Sequence, residues 1–288
     1  METKHIRKII PSQKVNMGGH ILEQPLPNNL MDQLDPFLLI HHAEWELKGN
    51  QRPQEVGIGG HPHRGFSPVT FVFQGDVRHQ DSFGNDEVVK AGGTQWMHAG
   101  KGITHSERPS AELADKGGIQ EIIQFWVNTP AKSKMETPYY LPLSEQETPK
   151  MTGDKYSIQI VAGEYNGIIG PAKTFSPMIL MRGHIEQRGK VQLDIPDHYN
   201  TLLYLLDGHL DVNESEAIRK DLIWFGREGQ LINLSASKDT RFILLAGEPI
   251  GEKVTSYGPF VMNTQTEILE AMRDAQKGKM GILIENFD

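Results

Sequence analysis

The chain is 288 residues long, with 38% of them apolar and 23% charged, enough for one large domain or two of ordinary size. Its 29 Lys and Arg against 37 Asp and Glu leave a formal charge of −8. With no cationic run to follow a phosphate backbone, direct nucleic-acid binding is not expected. Cysteine is absent, which excludes disulfides, thiolate ligands and a cysteine nucleophile, so any metal must be held by nitrogen and oxygen donors.

In chain order, residues 1–10 are charged and lack the apolar stretch of a secretory signal. Apolar runs such as 201–206 and 242–246 are far shorter than a membrane span, so a cytoplasmic location without membrane contact is expected. On a strand, at most one of the adjacent His41 and His42 can face inward, and residues 44–48 read as a solvated charged stretch. Gly57, Gly59 and Gly60 suggest a loop leading into His61-Pro62-His63. Pro62 lacks an N–H, which places this stretch on a sheet edge or at a strand start. Residues 67–73 (SPVTFVF) predict a strand ending in the turn Gln74-Gly75-Asp76, with further turns at Phe83-Gly84-Asn85 and Ala91-Gly92-Gly93. The tight Gly100-Lys101-Gly102 turn precedes His105-Ser106-Glu107, and a strand follows over 119–127. Residues 129–150, with four prolines, read as the connection between two domains, 1–135 and 136–288.

Further strands are expected over 157–162, 201–206 and 241–246. Thr264 with Glu267 makes a capping box for a helix in which Ile268, Leu269, Met272 and Ala275 recur at helical spacing, closed by Lys277-Gly278. Many short strands between turns predict an all-β protein of jelly-roll barrels. The runs 69–75 (VTFVFQG) and 202–208 (LLYLLDG), each a strand entering a glycine turn, suggest two barrels of one design.

Residues i and i+2 of a strand share a face, so His61 with His63, and His105 with Glu107, would each project together into one interior. Two such pairs facing each other across a barrel would bring three imidazoles and a carboxylate to one divalent ion, leaving coordination positions open if the ion is octahedral. A lone His-x-His is more often coincidence, and twelve histidines make some coincidence expected. The residues alone leave both readings open. Trp96, Met97, Phe71 and Phe73 are expected to fill the core. His79 is expected to line the barrel, and His98 to sit on its rim or shuttle protons; these two are the first replacements should a ligand be misassigned.

Residues 60–109, through the stretches HPHRGF and QWMHAGKGITHSE, resemble the pirin family of the cupin superfamily. YGPFVMNT near the C-terminus and Asp35-Pro36-Phe37-Leu38-Leu39 extend the resemblance over nearly the whole chain. It implies two tandem cupin (jelly-roll) barrels with a C-terminal helix. It also implies one metal in the first barrel, ligated by His61, His63, His105 and Glu107. Fe(II) is the first candidate; Zn, Mn, Ni, Cu or Co also suit such donors. The activity implied is that of a dioxygenase acting on a flavonol such as quercetin, with an aromatic substrate and dioxygen as partners and Glu107 as catalytic base. The alternative is an iron-dependent, redox-sensing coregulator of transcription that acts through a protein partner. Ser67 stands where the family usually has Glu, Gly93 where Asp is common, His98 where Thr is common and Lys101 where Arg is common. If the missing Glu orients a ligand, histidine orientation or proton handling differs here. Asp194 and Pro196 fall opposite His61 and His63, so the second barrel is expected to lack a metal, with His198 and His209 as surface or packing residues.

Overall fold

The computed structural model describes residues 2–287, which form two compact units: residues 2–39 with Glu147–Ile250, and Ile40–Gln146 with 251–287. A single cut after residue 135 does not reproduce this partition, because each terminus belongs with the other half of the chain. At the N-terminus the cause is sheet pairing. The Ile6–Pro11 strand pairs antiparallel with Asp221–Phe225, Ile10 opposite Leu222. Just before it, the buried Lys4 donates Nζ hydrogen bonds to the carbonyls of Pro196 and Gly229, each at 3.2 Å.

In the first unit a seven-stranded sheet runs in the order Ile6–Pro11, Asp221–Phe225, Asn200–Asp207, Thr240–Gly247, Met178–Ile185, Tyr156–Ala162, Lys150–Gly153. A four-stranded sheet runs Lys190–Asp194, Leu231–Ala236, His209–Val212, Ser215–Ile218. Alternating residues of both sheets, among them Leu193, Ile232, Leu234, Leu203, Leu205, Phe242 and Leu244, meet in one continuous apolar core. Each such side chain contributes about 1.5–3 kcal/mol on burial, so this barrel closes around an apolar core.

The second unit holds a sheet in the order Tyr139–Leu143, Thr94–His98, Phe66–Gln74, Gly118–Asn128, Phe37–Leu47, the last strand belonging to this unit from Ile40 onward. A four-stranded sheet runs Ile58–His63, Ile103–Arg108, Asp76–Asp81, Asp86–Lys90. Part of its interior is apolar, with Val72, Val77 and Val89 packed against Ile122. The rest carries buried polar groups: His63, Thr70, His79, Asp81, Gln95, His105 and Glu107.

The expected strands lie within Phe66–Gln74, Gly118–Asn128, Tyr156–Ala162, Asn200–Asp207 and Thr240–Gly247. Both glycine turns of the suspected repeat occur, with Gly75 at φ 69° and Gly208 at φ 93°. A Cβ at Gly75 would also lie 2.8 Å from the Ile119 carbonyl oxygen, so the chain cannot turn there with a larger residue. The proline-rich connection is more structured than expected: Tyr139–Leu143 forms an edge strand against Thr94–His98, with Pro142 where no ladder partner lies beyond. Nearby, Lys134 is buried and donates to Asn128 Oδ1 and to the carbonyls of Gly65 and Val261.

The helix spans Gln265–Gln276 with the capping box in place: Glu267 Oε2 accepts from Thr264 N at 2.8 Å, and Thr264 Oγ1 from Glu267 N at 3.3 Å. Its buried residues are Ile268 and Ala271, while Leu269 is 58% exposed. The apolar stripe is therefore narrower than the spacing suggested. No helix of the described residues is long and apolar enough to cross a membrane.

Candidate metal centre

The Ile58–His63 strand lies at the edge of its sheet, where Pro62 costs no ladder bond. It pairs antiparallel with Ile103–Arg108, His105 opposite His61 and Ile103 opposite His63. The two motifs are thus hydrogen-bonded neighbours rather than faces across a barrel. Side chains opposite one another on adjacent strands stand close enough to touch, which makes this the shorter route to a shared site. Ring centroids are 4.8 Å apart for His61 and His63, 4.4 Å for His61 and His105, and 5.0 Å for His63 and His105. One ring nitrogen from each lies within 4.8 Å of the others.

In each ring Nδ1 is engaged. His61 Nδ1 donates to the Gly59 carbonyl at 2.9 Å and His63 Nδ1 to the Pro259 carbonyl at 3.2 Å, while His105 Nδ1 lies 3.3 Å from His79 Nδ1. Nε2 is the nitrogen left to converge. That of His105 is buried without a hydrogen-bond partner among the described residues. A buried acceptor left unsatisfied costs roughly 1–3 kcal/mol, a cost that a bound cation would remove. Burial, with His61 second, pushes the His63 imidazole well below the usual histidine range, the Pro259 carbonyl opposing. Burial and then His61, His63 and His79 do the same to His105. Both rings are held neutral, the form that ligates metal. The donor set fits a divalent ion of intermediate softness.

Glu107 shares the face of His105 but stands apart from that group. The register shifts between the two, so Glu107 pairs with Ile58. Its carboxylate accepts from Gln124 Nε2 at 3.0 and 2.9 Å and from Thr70 Oγ1 at 3.3 Å. Gln124 and Trp126 are alternate residues of Gly118–Asn128, and Trp126 Nε1 donates to Gln124 Oε1 at 3.4 Å. The Trp126 ring lies 5.6 Å from His63 and 4.3 Å from Phe66, and Phe66 lies 5.1 Å from His63. Gln124, Trp126, Thr70 and Phe66 were not singled out in the sequence. The alternation of Ile122, Gln124 and Trp126 in 119–127 is the available signal, a polar residue between two apolar ones on one strand face.

Two family models match, Pirin over residues 19–127 and the Pirin C-terminal cupin domain over residues 180–281. The chain belongs to the pirin family. Pirin-like protein 2 of Arabidopsis thaliana is 34% identical over 98% of this chain and 87% of its own length. A crystal structure of quercetin 2,3-dioxygenase from Acinetobacter baumannii matches with TM-score 0.92 at 35% identity, covering 98% of this chain and 100% of that one. A bacterial pirin from Escherichia coli, solved in complex with nickel(II), shares the fold at 23% identity and TM-score 0.67, over 84% of this chain and 100% of that one.

Within this pirin fold, Ser67 and His98, two positions expected to depart from the family pattern, touch each other. Ser67 Oγ lies 3.2 Å from His98 Nδ1, both buried, so His98 is not a rim residue, and it does not join the grouping of His61, His63 and His105. The rings of His61, His63 and His105 have Gly59, Pro259 and His79 as their Nδ1 partners, and Ser67 is none of these. Trp96, Met97 and Phe71 are buried as expected. A second grouping, His42, Glu44 and Glu121, also brings ligand atoms within 4.8 Å. There Glu121 is already occupied, accepting from Gln74 Nε2 at 2.8 Å with His42 Nε2 at 3.2 Å. Glu44 is exposed.

Proposed function

We propose that this chain is a metal-dependent dioxygenase acting on a flavonol such as quercetin, with His61, His63 and His105, joined by Glu107 when the ion binds, holding one divalent ion, Fe(II) foremost. The single observation that carries the reading is the convergence of three imidazoles, those of His63 and His105 buried and that of His61 half-buried, each with Nδ1 engaged and Nε2 left over. The likeness to the Acinetobacter baumannii quercetin 2,3-dioxygenase structure supports the substrate class, and the nickel(II) complex of the Escherichia coli pirin supports a divalent ion. When bound, such an ion supplies Lewis acidity and a centre at which dioxygen and an electron-rich substrate meet.

The remaining work falls to the chain itself. The half-buried Trp126 offers a ring face beside His63 against which a planar aromatic can stack, with the buried Phe66 packed against it. Glu107 accepts the substrate hydroxyl proton on a carboxylate oxygen, and Gln124 and Thr70 keep that carboxylate aimed. The buried wall of the barrel limits water around the reacting groups.

Oxygen uptake with quercetin should be measured on iron-loaded protein beside His61→Ala. The wild type is expected to consume oxygen and quercetin together, with the variant at background. A wild type no faster than the variant would rule out this substrate. Iron retention without turnover would favour the redox-responsive interaction protein instead.

A further inference from the structure

His61 and His63 are oriented by backbone carbonyls, which can only accept. His105 is oriented differently, by the side chain of His79 across the adjacent strand pair. His79 is confined on three sides. Its Nε2 lies 2.9 Å from Asp81 Oδ2, its Nδ1 lies 3.3 Å from His105 Nδ1, and its ring stacks on Tyr140 at 3.8 Å with planes 4° apart. Asp81 is itself immobilised. It accepts from the backbone N–H groups of Phe83 at 2.8 Å and Asn85 at 3.2 Å, and from Asn85 Nδ2 at 2.7 Å.

The donors and acceptors then fall into one order. An ionised Asp81 can only accept, so His79 Nε2 carries the proton it donates. A His79 that carries this single proton offers Nδ1 as an acceptor. His105 Nδ1 must donate to it, which leaves the lone pair of His105 on Nε2, the buried nitrogen without a partner among the described residues. With both nitrogens committed, His79 has none to give a metal. We propose that Asp81 and His79 are positioning residues that hold His105 in its Nδ1–H tautomer and so aim its Nε2 at the site shared with His61 and His63. The inference rests on the metal-centre reading above and extends it by a carboxylate–imidazole relay behind one ligand.

Two measurements test it. Cobalt(II) affinity, read by chelator competition, should be compared in the full-length wild type, His79→Phe and His79→Gln. Phe keeps a ring against Tyr140 but removes the acceptor, whereas Gln restores an oxygen that can accept from His105. Loss of an outer partner of this kind typically weakens metal binding about 10–100-fold, so His79→Phe should fall in that range, with His79→Gln closer to wild type. Separately, 15N NMR of the histidine rings in metal-free wild type should show His105 protonated on Nδ1 and His79 on Nε2. The inference is overturned if His79→Phe binds cobalt(II) as tightly as wild type, or if His105 carries its proton on Nε2. Should His79→Phe not fold, the spectrum of the wild type decides alone. If wild type and His61→Ala bind cobalt(II) equally, the metal-centre reading fails instead, and the spectrum still decides the relay.

Discussion

At the scale of single residues, the centre depends on what stands behind each donor. Glu107 is held by Gln124 through both carboxylate oxygens. Gln124→Leu keeps the volume and removes the donor, leaving the carboxylate free to swing. Turnover by iron-loaded protein should drop roughly tenfold or more with iron content little changed, measured as kcat beside metal analysis. His98 gives a pH dependence with a definite sign. Burial, its leading cause, holds His98 down to about 4, whereas an unfolded histidine titrates near 6.5. Between these values the unfolded chain binds the extra proton, so the stability is fully present above pH 6.5 and is lost as pH falls towards 4. At pH 4.5 the loss from this one group is on the order of 2 kcal/mol. Urea midpoints at pH 7 and 4.5 should therefore differ less for His98→Asn than for wild type.

At the scale of elements, the C-terminal segment braces the outer side of the strands that carry the centre. Along Ile103–Arg108, His105 and Glu107 face inward, while Thr104 and Arg108 meet the tail. Thr104 Oγ1 donates to the Gly281 carbonyl at 3.1 Å. Arg108 Nε and Nη2 donate to Glu285, at 2.5 and 3.1 Å. On the next strand Gln80 Nε2 donates to the Asn286 carbonyl at 2.8 Å. Deleting residues 282–288 removes the Arg108–Glu285 pair and the Gln80 contacts. The expected loss is about 2 kcal/mol of stability, seen in a urea titration, with faster release of bound metal to a chelator. An unchanged midpoint and release rate would show the tail to be a passenger.

At the scale of the whole molecule, the two units contrast in what fills them. One is closed by Leu, Ile, Val and Phe from both sheets. The other leaves part of its interior to histidines and carboxylates, whose burial is costly unless they are paired or bound. Metal binding should therefore act on that unit. At a free concentration of 100 Kd a ligand adds about 2.7 kcal/mol to the state that binds it. Hydrogen exchange should show protection gained in residues 40–146 and 251–288, with residues 147–250 little altered. Equal protection throughout would contradict the assignment of the centre to one unit.

The sequence by itself determined the periodicities and the punctuation. Alternating β-branched and aromatic runs between glycine turns marked the strands, Thr264 and Glu267 marked the helix start, and the i, i+2 spacing of His61 with His63 marked one shared face. These are local properties, set by backbone geometry within a few residues. Tertiary structure alone decided which strands became neighbours. It brought His105 opposite His61 on adjacent strands, set Gln124 behind Glu107, and placed His79 and Asp81 behind His105. It also joined each chain terminus to the opposite half. Hydrogen-bonded pairing between strands distant in sequence depends on how two sheets close around a core, and no short stretch of residues encodes that closure.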